Sequence, residues 1–319
     1  MSEAAPVDVS VVVLSYDRVH LLRRTLEALL KPETVGGVSV ELIVADNHPD
    51  RLAEGLVAEI AARAPFRVHY GAHPERNYAI VRNLGIAAAR GRYVAFVDDD
   101  EEPQAGWIPA LFGCLERTGA DAAFGRKLPL FETGSAPDWD PRARLFTADR
   151  EQPQDCEIRM FGARRPGKGL GTGNSIFRVA TCLAGQKPFD ERFGVGGGED
   201  TYILFKLAQE GRRFVWAPDA VVVEFMEKNR IRKAYILQRL HRGSQHYASR
   251  RVLLNPHPAR MAARVAVLGL GQLLVHTALY LATRPFGDAG SFPHRVAMAK
   301  GLGKLTWRRP IGFIDEHAA

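Results

Sequence analysis

The sequence predicts an α/β fold with a mostly parallel sheet flanked by helices and a helical C-terminal extension. Short apolar runs rich in valine and isoleucine alternate with segments of helical periodicity, which is typical of parallel strands joined by helical crossovers. Polar residues come directly after these runs, and in such sheets the loops at the carboxyl ends of the strands carry the ligand site. The 319 residues, 46% of them hydrophobic, are enough to bury a large core.

The strands and helices of the first half can be assigned in order along the chain. Residues 9–14 form a continuous apolar, β-branched run that predicts a buried strand, and the leucines between positions 21 and 30 recur at helical spacing. A second strand is predicted over residues 40–45. The elements that follow are a helix at 53–63, a strand at 66–70, a helix at 80–89 and a strand at 93–97.

The amino-acid composition of the chain changes twice after these elements. Residues 131–170 are rich in proline, charge and aromatic side chains, so we expect an irregular excursion over the sheet that suits contact with a substrate. A boundary is predicted at residue 225, because residues 232–250 form a basic stretch of helical character and residues 265–283 are strongly apolar.

Charge is divided unevenly across this boundary. The whole chain has a formal net charge of +7, but residues 1–224 hold 27 Lys and Arg against 32 Asp and Glu, a net charge of −5. Residues 225–319 hold 16 against 4, a net charge of +12. A basic segment of this kind can bind nucleic acid, anionic lipid or a diphosphate-linked substrate. The shortage of aromatic residues between Lys228 and Arg264, and the apolar run that follows, favour a membrane surface over nucleic acid.

The apolar residues 265–283 have about the length that spans a bilayer, roughly 20 residues. Arg260, Arg264 and Arg284 flank this stretch, which favours a helix lying at the membrane surface, with a membrane span and a core or dimer helix as the alternatives. The acidic residues 1–8 lack the basic and then apolar pattern of a secretory signal. We therefore expect a cytoplasmic protein at the inner face of the cell membrane.

The strongest chemical signal is the acidic cluster Asp98, Asp99, Asp100 and Glu101, directly after the strand predicted at 93–97. If the extended geometry continues, the side-chain period of two places Asp98 and Asp100 on the same side. Two converging carboxylates repel each other unless a cation lies between them. Oxygen ligands suit Mg²⁺ or Mn²⁺, which would also neutralise a departing diphosphate. The alternative is an acidic turn that caps the next helix.

In the order of its motifs the chain resembles glycosyltransferase family 2, whose members have the GT-A fold, over about residues 7–225. The residues that carry the resemblance are Val11-Val12-Val13-Leu14-Ser15-Tyr16-Asp17-Arg18, Asp46-Asn47, Arg82-Asn83-Leu84-Gly85-Ile86, the acidic cluster, Gly171-Thr172-Gly173-Asn174, Phe189-Asp190-Glu191-Arg192-Phe193-Gly194 and Gly197-Gly198-Glu199-Asp200. Each motif is weak alone, whereas the ordered set is specific. We therefore expect a GT-A catalytic domain over residues 1–225 and a basic, membrane-associated helical extension over residues 226–319.

The resemblance implies a binding site for a nucleotide-sugar donor, with a UDP-sugar indicated by the usual preference of the family. The side chains that it implies for this site are Ser15, Asp17, Asp46, Arg82, Asp98 and Asp99. Asp46 would hydrogen-bond the base, and Asp98 would contact the ribose side. Asp98 and Asp100 would hold the metal, Mg²⁺ or Mn²⁺.

The same resemblance implies an inverting reaction with Asp200 as the general base. Asp200 would take the proton from the attacking acceptor hydroxyl, and Glu199 would orient the site or touch the acceptor. One carboxylate is sufficient for a direct displacement that inverts the anomeric centre. The alternative for both residues is an ordinary helix start, because carboxylates are favoured at a helix N terminus.

A narrower likeness connects the chain to bacterial glucosyltransferases of succinoglycan-type exopolysaccharide synthesis, which act on lipid-diphosphate-linked oligosaccharides. It rests on Ala136-Pro137-Asp138-Trp139, Glu224, Arg230 and Arg239 to Gly243. Many relatives carry a His near the position of Glu224, and this departure puts a direct metal role for that position in doubt. Trp139 suits either stacking on an acceptor sugar or burial in a core. The implied partners are a nucleotide-sugar donor, a glycan or lipid-linked oligosaccharide acceptor and an anionic membrane surface, without nucleic acid.

Other function classes fit the sequence less well. A nucleotidyltransferase or a dinucleotide-dependent oxidoreductase would carry a glycine-rich loop after the first strand, and Ser15-Tyr16-Asp17-Arg18 contains no glycine. A non-catalytic sugar- or lipid-binding protein on a GT-A scaffold is the alternative from another class. The presence of Asp98, Asp100 and Asp200 argues for the enzyme.

Overall fold

The structure, a computed structural model, describes residues 6–160 and 170–309. The strands in these ranges are β1 (Val9–Ser15), β2 (Val40–Asp46), β3 (Val68–Ala72), β4 (Tyr93–Asp98), β5 (Glu101–Pro103), β6 (Ala122–Phe131), β7 (Cys156–Glu157), β8 (Ser175–Arg178) and β9 (Phe214–Met226). They form one sheet in the order β3-β2-β1-β4-β8-β6-β9-β5, with β7 paired to β9.

Helices alternate with the strands along the chain, and within the described residues three further helices follow the last strand. They are α1 (Val19–Leu30), α2 (Pro32–Val35), α3 (Glu54–Ala61), α4 (Tyr78–Ala88), α5 (Trp107–Thr118), α6 (Glu199–Gln209), α7 (Lys233–Leu253), α8 (Pro258–Thr283) and α9 (Asp288–Leu305). The α/β prediction and the helical C-terminal region are therefore confirmed.

The sheet is parallel in its first four strands and contains antiparallel pairs as well. β1 pairs in parallel with β2 and β4, and β2 pairs in parallel with β3. The pairs β4–β8, β6–β8, β5–β9 and β7–β9 are antiparallel. Helices connect the four parallel strands in sequence, because a parallel connection needs a crossover. The sheet is thus mixed, with β1–β4 as its parallel part.

Strand and helix limits differ from the predicted ones where local hydrogen bonds decide them. The helix predicted at 80–89 begins at Tyr78, because the Asn77 side chain accepts hydrogen bonds from Ala79 N and Ile80 N. The strand predicted at 66–70 is shifted to Val68–Ala72 by its register with β2, in which Leu42 lies opposite Val68 and Asp46 opposite Ala72. Such shifts of two residues leave the order of the elements unchanged.

The predicted excursion at 131–170 has little regular structure where it is described. Lys127 and Ala148 form an isolated bridge, and β7 contributes two residues at its far end. Residues 161–169 of the excursion lie outside the described residues.

The chain divides into two compact units. The first comprises Met1–Pro129, Thr147–Gly194 and Lys206–Phe225, and the second comprises Leu130–Phe146, Val195–Phe205 and Met226–Ala319. The core of the first unit is built on the sheet; its side chains come from the alternating apolar residues of β1, β2 and β4 and from the inner faces of α1, α3 and α5. Whether the boundary predicted at 225 separates a catalytic domain from a membrane-associated extension stays a prediction.

The second unit has its own apolar core. Phe146, Met226, Tyr235, Ile236, Phe292 and Val296 are its buried members. Trp139 is half-buried and packs against this cluster, with its ring 4.6 Å from that of Phe292 and 5.8 Å from that of Phe146. In this structure Trp139 is therefore a packing residue of the second unit.

Candidate active site

Three of the predicted site residues lie at one edge of the sheet because their strands are parallel and in register. Ser15 at the end of β1 lies opposite Asp46 at the end of β2, and Leu14 lies opposite Asp98 at the end of β4. The carboxyl ends of such strands form the ligand crevice of α/β sheets. Ser15 Oγ is buried and has no hydrogen-bond partner in the described part of the chain, so this edge offers a ligand an unused polar group.

Asp46 holds the loop after β2. Its carboxylate is fully buried and accepts hydrogen bonds from His48 N at 2.9 Å, Ala53 N at 3.0 Å and Tyr70 Oη at 2.9 Å. Burial and then the Asp46 carboxylate raise the pKa of Tyr70 to about 12, so the phenol stays a donor. The structure thus gives Asp46 a bracing role, and its contact with a nucleotide base stays a prediction.

The loop after β1 carries an aromatic side chain next to another aromatic ring. The rings of Tyr16 and His48 lie 5.2 Å apart with a tilt of 50°, and the Arg76 guanidinium lies 4.3 Å over the Tyr16 ring. Asp17 is exposed in the same loop. An aromatic face of this kind can stack on a base, a function that the sequence motif alone did not reveal for Tyr16.

The Arg82-Asn83 motif connects α4 to the segment around residue 189. Asn83 Nδ2 donates to Phe189 O at 2.8 Å, and Phe189 N donates back to Asn83 Oδ1 at 3.0 Å. Arg82 is buried, and its guanidinium lies 5.6 Å over the Phe189 ring. This motif therefore has a packing role, and a contact between Arg82 and the nucleotide stays a prediction.

Arg18 bridges two carboxylates of the acidic cluster. Its Nη1 donates to Asp100 Oδ2 at 2.6 Å and its Nη2 to Asp99 Oδ1 at 2.5 Å. The side chains of Asp99 and Asp100 are only 4% and 5% exposed. Burial raises the pKa of Asp99 to about 7, and the charge of Arg18 opposes this shift. Two adjacent buried carboxylates need such a cation to be ionised together.

Lys127 on β6 is a second internal cation of the cluster. Its Nζ forms an ion pair with Glu101 and lies 3.7 Å from Asp98 Oδ2. Burial lowers the pKa of Lys127, but the charges of Glu101, Asp98 and Glu224 outweigh it, so that this pKa lies above its ordinary value. A Cβ on Gly173 would lie 2.4 Å from Asp98 Oδ2 and 2.7 Å from Nζ, so only glycine fits beside this pair.

The motif at residues 171–174 forms a fixed turn through its last residue. Asn174 adopts a positive φ of 53°, which Asn tolerates better than most residues. Its Nδ2 donates to Arg126 O at 2.8 Å and Ala220 O at 2.9 Å, and its Oδ1 accepts from Trp107 Nε1 at 2.8 Å. The tight loop predicted here is therefore present and fastened to β6, β9 and α5.

The acidic cluster fits a divalent cation that arrives with a substrate phosphate. No group of three His, Cys, Asp or Glu side chains within residues 6–160 and 170–309 is arranged to hold a metal by itself. Mg²⁺ is commonly held by one or two carboxylates together with substrate phosphates. The Asp98 side chain is 36% exposed and suits this use, whereas Asp100 is turned toward Arg18.

Glu199 and Asp200 open α6 and belong to the second unit. Gly197 and Gly198 before them have φ values of +73° and +92°, in the left-handed region that favours glycine. Glu199 is buried, and Asp200 Oδ1 accepts from Thr201 N at 2.5 Å and from Thr201 Oγ1 at 3.2 Å. The helix N terminus favours both charges, and their catalytic roles stay predictions.

Sequence reasoning missed the two cations of the acidic cluster. Arg18 stands inside the first motif, where an arginine in a ligand loop is a usable signal. Lys127 is 26 residues from Glu101 in sequence, in an ordinary strand, and no local pattern marks it. Only the pairing of the strands brings this ammonium to the carboxylates.

Comparison with known proteins gives a family for the chain. The family model described as Glycosyl transferase family 2 matches residues 10–187, more than half of the chain. The succinoglycan biosynthesis protein ExoM of Rhizobium meliloti (strain 1021) is 28% identical over 292 residues, which cover 91% of this chain and 90% of that protein. ExoO of the same organism, also named a succinoglycan biosynthesis protein, is 33% identical over 243 residues, covering 73% of this chain and 65% of that protein.

Solved structures give the same fold. The crystal structure of S. aureus TarS 1-349 in complex with UDP-GlcNAc superposes with a TM-score of 0.52 at 13% sequence identity, covering 95% of this chain and 92% of that one. At this identity the likeness establishes the GT-A fold alone. Together with the family match it confirms the predicted resemblance: the chain belongs to glycosyl transferase family 2 and is a glycosyltransferase.

Proposed function

We propose that the enzyme transfers a sugar, with inversion, from a UDP-sugar to a glycan or lipid-linked oligosaccharide acceptor in surface polysaccharide biosynthesis. The observation that carries the donor part is the register that aligns Ser15, Asp46 and Asp98 at one edge of the sheet. The names of ExoM and ExoO support a polysaccharide product, and the S. aureus TarS structures with UDP and UDP-GlcNAc support a uridine nucleotide.

The diphosphate of the donor is proposed to bind at the acidic cluster with Mg²⁺ or Mn²⁺. Asp98 and Asp100 would hold the cation, Asp100 in exchange for its ion pair with Arg18. When bound, the cation neutralises charge that develops on the leaving diphosphate. Lys127 forms an ion pair with Glu101 and lies near Asp98, and Arg18 forms an ion pair with Asp100. Nucleotide contacts are proposed from Ser15, Asp17, Asp46, Arg82 and Asp99, with the Tyr16 ring available to the base.

The acceptor hydroxyl must lose a proton as its oxygen attacks the anomeric carbon. We assign this proton to the carboxylate of Asp200, with Glu199 orienting the base or the acceptor. The new glycosidic bond forms as the bond to the diphosphate oxygen breaks on the opposite face, and this single displacement inverts the anomeric centre.

The C-terminal region is proposed to associate with an anionic membrane surface at the cytoplasmic face. Within the described residues, Pro258–Phe286 is the stretch of helix that is long and apolar enough to cross a membrane. Its outward face carries large apolar side chains that are 41–70% exposed: Val267, Leu268, Leu270, Leu274, Val275, Leu279 and Leu281. Exposed apolar surface of this extent marks a contact with lipid or with another apolar surface.

Gln272 and His276, the polar residues within the apolar stretch of α8, face α9. Gln272 Nε2 donates to Ala297 O at 3.0 Å and Gln272 Oε1 accepts from Lys304 Nζ at 2.7 Å, while His276 and His294 are 3.1 Å apart at their Nδ1 atoms. This polarity is the reverse of a helix on a water-soluble surface, which turns its apolar face inward. The reversed polarity and the flanking arginines support a helix lying in the membrane interface.

The donor part of the proposal can be tested with the purified protein and a panel of UDP-, GDP- and dTDP-sugars, with Mn²⁺, Mg²⁺ or EDTA. We expect metal-dependent release of UDP from one sugar. Asp98→Asn should abolish it, whereas Glu102→Gln, a charge loss of similar exposure on β5, should not. Nucleotide binding measured by calorimetry provides a readout that does not depend on the acceptor.

A test of the proposed acceptor requires a lipid-linked oligosaccharide from a surface polysaccharide pathway. Asp200→Asn should bind the donor as the wild type does and lose transfer by about 10²–10⁴-fold, the usual contribution of a general base. A protein without metal-dependent nucleotide binding would instead be a non-catalytic member of the fold, and full transfer by Asp200→Asn would refute its role as base.

A further inference from the structure

Helix α7 presents three polar side chains to the glycine turn that precedes Asp200. Arg242, His246 and Arg250 are four residues apart and therefore lie on one face of the helix. A Cβ on Gly197 would lie 2.7 Å from Arg242 Nη2, and a Cβ on Gly198 would lie 2.0 Å from His246 Nδ1. The side chains thus pack directly against the glycine backbone.

Gly198 is held from two directions. Its carbonyl accepts the first hydrogen bond of α6 from Tyr202 N at 2.9 Å and a further bond from Arg250 Nε at 3.4 Å. Its Cα faces the edge of the His246 ring. Because Asp200 follows two residues later in the first turn of α6, the position of Gly198 sets the position of the Asp200 backbone.

His246 is not an ordinary core residue. It is 5% exposed, and its Nε2 is buried with no hydrogen-bond partner among residues 6–160 and 170–309. A buried nitrogen without a partner costs desolvation that an apolar side chain would avoid. Burial, together with the charges of Arg250 and Arg242, lowers the pKa of His246 to about 4, and the charge of Asp200 opposes this shift. The imidazole is therefore neutral at physiological pH, although it lies within the field of Asp200.

We propose that His246 is a positioning residue for Asp200. Its ring braces Gly198, so that the start of α6 and the Asp200 carboxylate keep one orientation. This inference rests on the proposed role of Asp200 as the general base. A small displacement of a catalytic group lowers turnover strongly without weakening donor binding.

The test compares variants of His246 in the full-length protein. His246→Ala should lower kcat for transfer by about 10–100-fold, with KM for the donor and the Kd for UDP within about twofold of wild type. His246→Asn keeps polar atoms at the position that touches Gly198 and should recover most of the lost turnover. His241→Ala, on the same helix and bonded to Thr306, is the matched control and should leave kcat unchanged.

The Asp200→Asn background shows whether His246 acts through Asp200. There, His246→Ala should cause no further loss of the residual rate, because groups that act as a unit are not additive. An equal loss in both backgrounds, or wild-type kcat in His246→Ala, would overturn the inference. Full activity of Asp200→Asn would refute the proposed base instead. If His246→Ala does not fold, His246→Ser takes its place, since it also removes the ring.

Discussion

Lys127 is a partly buried ammonium whose partners are two carboxylates of the proposed substrate-binding edge, Asp98 and Glu101. We expect Lys127→Met to lower the free energy of unfolding by about 3–5 kcal/mol, because it leaves the fully buried Glu101 without its cation. Urea unfolding measures the change. Lys187→Met is the control: it removes an exposed pair with Glu191 and should cost less than about 1 kcal/mol. Equal losses of unfolding free energy in the two variants would contradict the stabilising role of the Lys127–Glu101 ion pair.

Gly173 leaves room for the Asp98 carboxylate and the Lys127 ammonium. In Gly173→Ala the new methyl group would displace both, so we expect the affinity for UDP with Mn²⁺ to fall at least about tenfold, equivalent to about 1.4 kcal/mol. Titration calorimetry gives the affinity. Gly37→Ala, where a Cβ would meet nothing within 4 Å, should bind UDP as the wild type does. Unchanged binding by Gly173→Ala would show that the donor does not depend on the position of Asp98.

At the scale of the element, α7 contributes a pH-dependent term to stability through His246. Its pKa lies near 4 in the folded protein because of burial, against an ordinary value of about 6.5. Between these values the unfolded chain binds a proton that the folded chain does not, so stability is complete above pH 6.5 and decreases toward pH 4. We expect a loss on the order of 2 kcal/mol between pH 7 and pH 5. Urea unfolding at pH 7 and pH 5 measures this loss, which should be smaller by a corresponding amount in His246→Asn. If the variant loses as much stability between the two pH values as the wild type does, His246 is not the source of the pH dependence.

The helices also show which parts of an element can be read from local sequence. The leucines of α1 occur at helical spacing, and Leu21, Leu22, Leu26 and Leu29 are all buried as that spacing requires. For α8, composition predicted a long apolar helix, but the direction of its faces was not predictable. The direction of these faces depends on α9, because Lys304 and His294 of α9 contact the polar side chains of Gln272 and His276 on α8.

At the scale of the whole molecule, the charge is divided between an acidic and a basic part of the chain. Residues 1–224 have a net charge of −5, and residues 225–319 have a net charge of +12. We expect binding to anionic vesicles, measured by co-sedimentation, to weaken strongly between 0.05 and 0.5 M salt, because exposed charges are screened within about a Debye length of 10 Å at 0.1 M. Replacement of Val267, Leu274 and Leu281 by Ser should reduce the binding that persists at high salt. Equal binding to neutral and anionic vesicles would contradict a role for the basic charge.

The sequence by itself determined the elements and the ligand edge. Runs such as residues 9–14 and 40–45 could be assigned because a strand buried on both faces is apolar without interruption, and the polar residues that end such runs must meet where parallel strands end. The acidic cluster at 98–101 and the order of the family motifs could be found in the same way, because their signal lies within a few consecutive residues.

Only the tertiary structure decided which charges meet. Arg18 and Asp99 are 81 residues apart, and Lys127 reaches Glu101 from another strand of the sheet. His246 on α7 meets Gly198, 48 residues earlier in the sequence. Local propensity and periodicity act over a few residues, whereas the pairing of buried charges and the close packing of a ring on a glycine depend on how distant segments are brought together by the burial of the core.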